Sequence, residues 1–183
     1  MQPYFNTPEK LASLTASASR WLGTPFRENS CVRGPRGGVS CHNLVAALYV
    51  ETGALPPFTV PRGSARRLLH NPADTICAYI DTVLGAHFMP VGTLTPAPSP
   101  IGRGVAGGRG EGVSLAQPGD MLVLREGNVG KHVAIVIPGA EPHHTPRIVH
   151  VLLHGGVFFS ELADATYASA ILQIRRPITP ATS

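Results

Sequence analysis

The sequence predicts an α+β domain in which N-terminal helices pack on one side of an antiparallel C-terminal sheet of about five strands. Two observations support this fold class. In the first half of the chain, apolar residues recur with the spacing of one helix face. In the last third, short apolar runs alternate with turn residues, which is typical of strands. A chain of 183 residues is long enough to form one domain with a substantial core.

The first helix is predicted at residues 7 to 22, where Thr7 is a suitable N-cap and Pro8 a suitable first helical residue. Residues 23 to 40 are rich in Gly, Arg and Pro and are predicted to form a loop.

A second helix is predicted to begin at Cys41 and to stop at Gly53. A third helical region covers residues 64 to 85, and Pro72 is expected to divide it. One face of the second helix is apolar through Leu44, Val45, Leu48 and Tyr49.

Residues 93 to 112 are rich in Pro and Gly, which predicts a flexible surface loop. The stretch is similar to translated repeat elements that insert into bacterial genes, and loops tolerate such additions because closure entropy grows slowly with length. We interpret it as an insert in a single domain spanning residues 1 to 183, with a short tail at 177 to 183. The five predicted strands follow it, at residues 121–124, 132–137, 147–153, 156–159 and 170–176.

The composition and charge of the chain argue against several classes of protein. The net charge of +4 favours anionic partners, but the basic residues are scattered without aromatic interleaving, so no nucleic-acid partner is expected. Long apolar runs are missing, so no membrane span is expected. The N-terminal residues do not have the pattern of a signal peptide, and we expect synthesis in the cytoplasm. Three cysteines without a CxxC pair argue against a disulfide scaffold or a zinc-thiolate site. We expect no metal and no other cofactor.

Cys41 is the first candidate for chemistry. With Ser40 as N-cap, Cys41 is the first helical residue, where the helix dipole favours a thiolate and lowers the thiol pKa. The free N–H groups of that turn can also bind an oxyanion. The alternative is a buried core thiol, because cysteine is commonly buried.

Two of the eight histidines lie among apolar residues of predicted strands, His132 and His150. If these strands pair antiparallel, the two imidazoles come close on one face, and one can act as base while the other fixes its tautomer. The alternative is a pair of separately hydrogen-bonded core histidines. A zinc site made with Cys41 would need a further ligand, and no HxxxH spacing is present.

Five segments occur in an order that resembles the NlpC-type cell-wall peptidase family of papain-like cysteine peptidases. They are WLGTPF at 21–26, SCHNLVAALYVETG at 40–53, QPGDMLVL at 117–124, KHVAIVI at 131–137 and RIVH at 147–150. The likeness is nearest to the phage-tail or gene-transfer-agent branch, whose members have an extended loop before the catalytic cysteine.

This resemblance implies a papain-like fold, with Cys41 as nucleophile, His132 as general base and acid, and His150 as the residue that orients His132. It implies a cysteine peptidase that hydrolyses peptide bonds in peptidoglycan stem peptides. The partners would be this peptide substrate and phage-tail or gene-transfer-agent proteins, with the enzyme carried to the wall by the particle.

The sequence departs from the family pattern around the nucleophile. Phe26 replaces a tyrosine whose hydroxyl assists the oxyanion, and phenylalanine cannot donate a hydrogen bond. Ser40 replaces an aspartate, and His42 and Asn43 replace Ser-Gly, at positions that recognise substrate in the family. We expect Phe26, Ser40 and Asn43 to lie in the cleft. The His42 ring is expected to point away from Cys41, because adjacent helical residues face apart, and either to line the cleft or to be solvated.

Two other hypotheses therefore stand beside the peptidase. One is a catalytically impaired or structural tail-associated domain with the same fold. The other is a thiol amidase or acyltransferase acting on another small substrate, because related folds carry several amide chemistries.

Overall fold

A computed structural model of the chain describes residues 1–60, 75–93, 111–126, 129–141 and 144–179. The longer helices in these ranges are α1 (Pro8–Trp21), α2 (Cys41–Glu51) and α3 (Thr75–Val83); α4 (Glu111–Leu115) and α5 (Ala165–Ala168) are short. The strands are β1 (Gln2–Pro3), β2 (Cys31–Val32), β3 (Gly38–Val39), β4 (Phe88–Thr93), β5 (Met121–Glu126), β6 (Val129–Ile137), β7 (Arg147–Leu152), β8 (Gly156–Glu161) and β9 (Ile171–Thr179). The chain is thus a mixed α and antiparallel β protein, as the sequence predicts.

The main sheet has seven strands in the order β1-β9-β5-β6-β7-β8, with β4 also paired to β9. The predicted count of about five was too low, because β1 and β4 add to β9 at the edge of the sheet. The β4 segment was not among the predicted strands, and it contains Pro90. This proline lies at a shift in register, a position where a strand tolerates proline.

Both faces of the sheet are covered, and the N-terminal helices lie together on one of them, as predicted. Alternate residues of the strands, such as Val133 and Ile135, pack with α1, α2 and α3 in one core. The intervening residues, such as Ala134 and Val136, form a second core that includes Ile148. The short apolar runs of β5 and β6 reflect this double burial, because a strand packed on both faces loses its alternation of polar and apolar residues.

The first two helices begin and end as predicted. Thr7 caps α1, its side chain accepting a hydrogen bond from the Lys10 backbone N–H, and Pro8 is the first residue of the helix. Helix α2 ends at Glu51, and Gly53 follows with a φ of 73°.

The Glu51 carboxylate joins α2 to its neighbours. It accepts hydrogen bonds from Ser17 and from the Trp21 indole, both on α1. It also pairs with Arg20 and with Arg33, which follows β2. These contacts fix the C-terminal end of α2, and with it the axis along which Cys41 is presented.

Other predicted elements fall partly outside the described residues. The third helical region at 64–85 is described only from residue 75, where α3 begins, and Pro72 lies outside that range. Of the proposed insert at 93–112, only the ends are described: Thr93 closes β4, and residues 111 and 112 open α4. The predicted loop at 23–40 contains the small antiparallel pair of β2 and β3.

A ladder of backbone hydrogen bonds extends the main sheet toward Cys41. Val157 on β8 exchanges hydrogen bonds with the turn after α1, accepting from Gly23 and donating to Thr24 at 2.8 Å. The Val39 N–H donates to the Pro25 carbonyl at 3.0 Å, and Val39 stands two residues before the first residue of α2. The start of α2 is therefore tied to the strands of the sheet through main-chain bonds.

Candidate active site

Cys41 is the first residue of α2 and is buried, with 8% of its surface exposed. Ser40 has the extended backbone of an N-cap, yet its side chain makes no capping hydrogen bond to the helix. The backbone N–H groups of the first turn thus have no side-chain cap. Because such groups carry partial positive charge, they favour a negatively charged atom beside them.

His132 and His150 come together on one face of the sheet. Strands β6 and β7 pair antiparallel through residues 135–137 and 147–149, and both histidines lie just beyond this paired stretch. His132 Nε2 is 3.2 Å from His150 Nδ1. The antiparallel pairing on which the sequence argument depended is present, and it places the two imidazoles in hydrogen-bond contact.

The thiol of Cys41 lies within reach of the His132 imidazole. Burial alone would raise the pKa of the Cys41 thiol, but hydrogen bonds with His132 and His42 and the charges of both rings hold it well below its ordinary value. Because His132 uses Nε2 toward His150, Nδ1 is the nitrogen left to face the sulfur. The structure thus places His132 where its ring acts on the Cys41 thiol, and it joins His132 to His150.

His150 is fully buried and cannot easily carry charge. Burial, together with the charge of His132, lowers the pKa of His150 to about 3. Its ring packs against Phe158 and Tyr167, with ring centroids 4.5 and 4.9 Å away. At neutral pH His150 is therefore a neutral imidazole with a single N–H.

Two hydroxyl groups fix which nitrogen of His150 carries that hydrogen. His150 Nε2 is 2.9 Å from Ser160 Oγ, and the Ser160 hydroxyl donates onward to the Tyr167 hydroxyl at 3.4 Å. With Ser160 donating to Tyr167, its oxygen is free to accept from His150 Nε2–H. His150 Nδ1 is then an acceptor, and it accepts the Nε2–H of His132.

Sequence reasoning missed Ser160 and Tyr167. Strand alternation gives a signal for Ser160 only once the register of β7 and β8 is known, because Ser160 pairs with Ile148, two residues from His150 on the same face. Tyr167 lies on the short helix α5, and nothing in its spacing links it to the histidines.

His42 differs from its expected orientation. Its Nδ1 lies 3.6 Å from Cys41 Sγ. The rule that adjacent helical residues face apart describes a helix interior, whereas Cys41 and His42 are the first two residues of α2, with no preceding turn to limit their side chains. Burial lowers the pKa of His42, but its hydrogen bond with Cys41 and the thiolate charge outweigh this and raise it.

Ser40 and Asn43 contact each other rather than extending free polar groups. Asn43 Nδ2 donates to Ser40 Oγ at 3.0 Å and to the Ser30 carbonyl at 3.1 Å. These bonds fasten the segment before Cys41 to the first turn of α2. Phe26 is half-buried and forms a bridge with Val39, on the segment leading to Cys41.

The remaining candidate groups stand apart from this cluster. Cys31 is exposed, with its sulfur 3.8 Å from the Asn43 carbonyl, and Cys77 is buried in the core with α3. His154 is exposed, and His144 pairs with Glu141. Within the described ranges, no group of three or more His, Cys, Asp or Glu side chains is arranged to hold a metal ion.

Comparisons with known proteins bear on the fold. No family model matches the sequence, and no curated protein does. Among solved structures, the chain is similar to a protein from Staphylococcus aureus subsp. aureus Mu50, described as similar to lipoprotein, NLP/P60 family. The TM-score is 0.52 at 17% sequence identity, and the match covers 98% of this chain. The chain has an NLP/P60-like fold.

This NLP/P60-like domain spans 45% of the length of the staphylococcal chain. None of the helices in the described part of the protein is both long and apolar enough to cross a membrane.

Proposed function

We propose that the protein is a cysteine-type hydrolase that cleaves amide bonds in peptidoglycan stem peptides. The arrangement of Cys41, His132 and His150 carries the proposal. A buried thiol with a lowered pKa contacts an imidazole that is held by a second, neutral imidazole. This is the geometry that nucleophilic catalysis by a thiolate requires. The NLP/P60-like fold supports the assignment of the substrate class.

The first half-reaction forms a thioester. The Cys41 thiolate attacks the amide carbonyl carbon, and the charge that develops on the carbonyl oxygen is stabilised by the N–H groups of the first turn of α2. The carbon–nitrogen bond then breaks, and the His132 imidazolium gives its proton to the departing amine. His132 is left neutral, and the acyl group remains on the sulfur.

The second half-reaction restores the enzyme. Neutral His132 takes a proton from water, whose oxygen attacks the thioester carbonyl. The carbon–sulfur bond breaks, releasing the carboxylic acid and regenerating the Cys41 thiolate beside the His132 imidazolium. His150 keeps the His132 ring in position throughout, because its Nδ1 accepts the hydrogen of His132 Nε2.

Digestion of purified peptidoglycan tests the proposal. Sacculi of several wall chemotypes would be incubated with the native protein, with Cys41→Ala and with His154→Ala, which changes an exposed histidine. We expect new amino and carboxyl ends from the native protein and His154→Ala alone. Equal digestion by Cys41→Ala, or no product from any chemotype, would contradict the assignment.

The Ser40–Asn43 hydrogen bond supports a second candidate, a thiol amidase or acyltransferase acting on another small substrate. Both side chains lie beside Cys41 and are hydrogen-bonded to each other, and neither carries charge. A panel of small amides, with and without an added amine acceptor, distinguishes the two functions. Turnover of a small amide that depends on Cys41, combined with intact peptidoglycan, would favour this candidate.

We propose further that the protein acts as part of a phage-tail or gene-transfer-agent particle. The resemblance to that branch, with its extended segment before the catalytic cysteine, supports this setting. Mass spectrometry of particles purified from the source cells tests it. The expected result is a stoichiometric amount of the protein in washed particles, whereas recovery only from the soluble cell fraction would contradict it.

A further inference from the structure

Two imidazoles approach the sulfur of Cys41. His132 reaches it from β6, and His42 reaches it from the next position of α2, with its Nδ1 3.6 Å from Sγ. The proposed hydrolase mechanism uses only the first of these rings.

The two rings have different surroundings. His132 is bound at Nε2 by His150, so that its other nitrogen is committed to exchanging protons at the reaction centre. The hydrogen bond and the charge that raise the pKa of the His42 ring both come from Cys41. His42 is thus free to remain hydrogen-bonded to the sulfur while His132 gains and loses its proton.

We propose that His42 is a second catalytic imidazole, which holds the Cys41 sulfur as a thiolate through an Nδ1–H hydrogen bond, independently of the protonation state of His132. The proposal deepens the hydrolase assignment, because it concerns the same nucleophile. His42 exchanges no proton and forms no covalent bond. It stabilises the charged sulfur in the resting enzyme and again when the thioester is cleaved.

The need for such a group follows from the burial of Cys41. A buried thiolate is unfavourable without compensating contacts, and in a two-residue pair the thiolate keeps its partner cation only at pH values where the imidazole stays protonated. A second donor removes this dependence. Burial opposes ionisation of Cys41, and the hydrogen bond to His42 is one of the contacts that outweigh it.

The ionisable groups around the pair come from several elements. Strand β6 contributes His132, and β7 contributes His150, which is neutral. Strand β2 contributes Cys31, whose sulfur lies beside the Asn43 carbonyl. Arg20 on α1 binds Glu51 at the opposite end of α2 and so lies away from the pair. Besides His42 itself, His132 is the group that acts on the pKa of Cys41.

Alkylation by iodoacetamide across a range of pH tests the proposal without any wall substrate. Mass spectrometry of each cysteine peptide gives the midpoint for Cys41 separately. Cys31 provides an internal reference, because it is accessible, and partial desolvation of its thiol and the charge of Glu51 raise its pKa. The variants are His42→Ala, which removes the donor, His42→Asn, whose amide N–H can replace Nδ1–H, and His132→Ala.

We expect His42→Ala to raise the Cys41 midpoint by about one pH unit or more, the size of a lost charge-assisted hydrogen bond. His42→Asn should recover part of this shift. In His132→Ala, Cys41 should still react at lower pH than Cys31 although hydrolysis is lost. An unchanged midpoint in His42→Ala would overturn the proposal and leave His42 as a residue of the cleft wall.

Separate controls test whether each variant folds and whether the substrate assignment holds. Protection of buried Cys77 from alkylation reports an intact core in each variant. If His42→Ala does not fold, His42→Phe retains a ring without a donor and should give the same shift. A shifted midpoint in a protein that leaves peptidoglycan intact would refute the substrate assignment while the role of His42 stands.

Discussion

His150 directs an unprotonated Nδ1 at His132, because its Nε2–H is hydrogen-bonded to the Ser160 hydroxyl. The distances are 3.2 Å for the imidazole pair and 2.9 Å from Nε2 to the serine oxygen. A neutral imidazole has one acceptor and one donor nitrogen, so the contact at one nitrogen determines what the other can do. The orientation of the His132 ring therefore depends on a hydroxyl group that does not touch it.

Removing that hydroxyl should impair turnover rather than binding. In Ser160→Ala, His150 loses the acceptor for Nε2–H and can place its hydrogen on Nδ1, where it opposes His132. We expect kcat to fall by roughly tenfold or more with KM nearly unchanged, since the loss resembles that of other positioning contacts of a base.

The matched control is Ser169→Ala, which changes an exposed serine beyond α5. Steady-state kinetics on the cleaved substrate measure both variants. A rise in KM with unchanged kcat in Ser160→Ala would place Ser160 in substrate binding instead.

The lowered pKa of His150 predicts an acid-sensitive fold. Burial holds the pKa of His150 near 3 in the folded protein, while an unfolded histidine titrates near 6.5. Between these values the unfolded chain binds one more proton, so the contribution of His150 to stability is full above about pH 6.5 and falls by roughly 1.4 kcal/mol per pH unit below it.

Urea unfolding of the native protein and His150→Asn at several pH values between 4 and 7 measures this effect. Asparagine keeps polar atoms in the site and does not titrate. The expected result is a shallower dependence on pH in the variant. Parallel curves for the two proteins would show that His150 titrates normally.

The Asp120–Arg176 pair predicts a large loss of stability when it is broken. Asp120 is buried, and Arg176 binds both of its oxygens at 2.8 and 2.9 Å. In Arg176→Met the carboxylate stays buried without its cation, which costs about 3 kcal/mol or more.

Arg175→Met is a close control, because Arg175 also lies on β9 but pairs with the half-exposed Asp81. A partly solvated pair contributes about 1 kcal/mol or less. Chemical denaturation should rank Arg176→Met as the more damaging change, and an equal or reversed ranking would contradict the argument.

Gly156 predicts a coupling between the sheet and the turn after α1. Its φ is 67°, and a Cβ at this position would lie 2.7 Å from the Thr24 carbonyl oxygen. Gly156→Ala should therefore destabilise the fold by about 2 kcal/mol and displace β8 from the turn.

The neighbouring Gly155 gives the comparison, since a Cβ there meets only the edge of the Phe158 ring at 3.3 Å. Gly155→Ala should cost less than Gly156→Ala in the same urea titration. Loss of hydrolysis in Gly156→Ala that exceeds its loss of folded protein would show that the displacement reaches the site.

The sequence predicted the elements whose signal is local. The Thr7 cap of α1, the apolar stripes of α1 and α2 and the five apolar strands are present, because spacing and turn residues determine them. The edge strands β1 and β4 were missed, since their hydrogen bonds form with β9, which is distant in sequence. The second core, on the other face of the sheet, likewise forms from segments that are distant in sequence.

The same distinction holds in the site. Cys41 and the two strand histidines could be singled out because each is polar or reactive in an apolar run. Ser160 and Tyr167 could not, because only the register of β8 and the position of α5 bring them to His150. The predicted orientation of His42 was wrong, because adjacent side chains face apart within a helix but not always at its first two residues, where His42 contacts Cys41.

Main-chain hydrogen bonds connect Val157 on β8, through the turn after α1, to Val39, two residues before Cys41. These main-chain hydrogen bonds hold the segment that leads to Cys41, and any residue except proline can donate them. Side chains of this segment that make no contact with α2 can therefore be exchanged without moving the start of α2. Under the proposed function, a library confined to residues 27–32, which leaves the Arg33–Glu51 pair intact, should change substrate preference while Cys41 keeps its reactivity toward iodoacetamide.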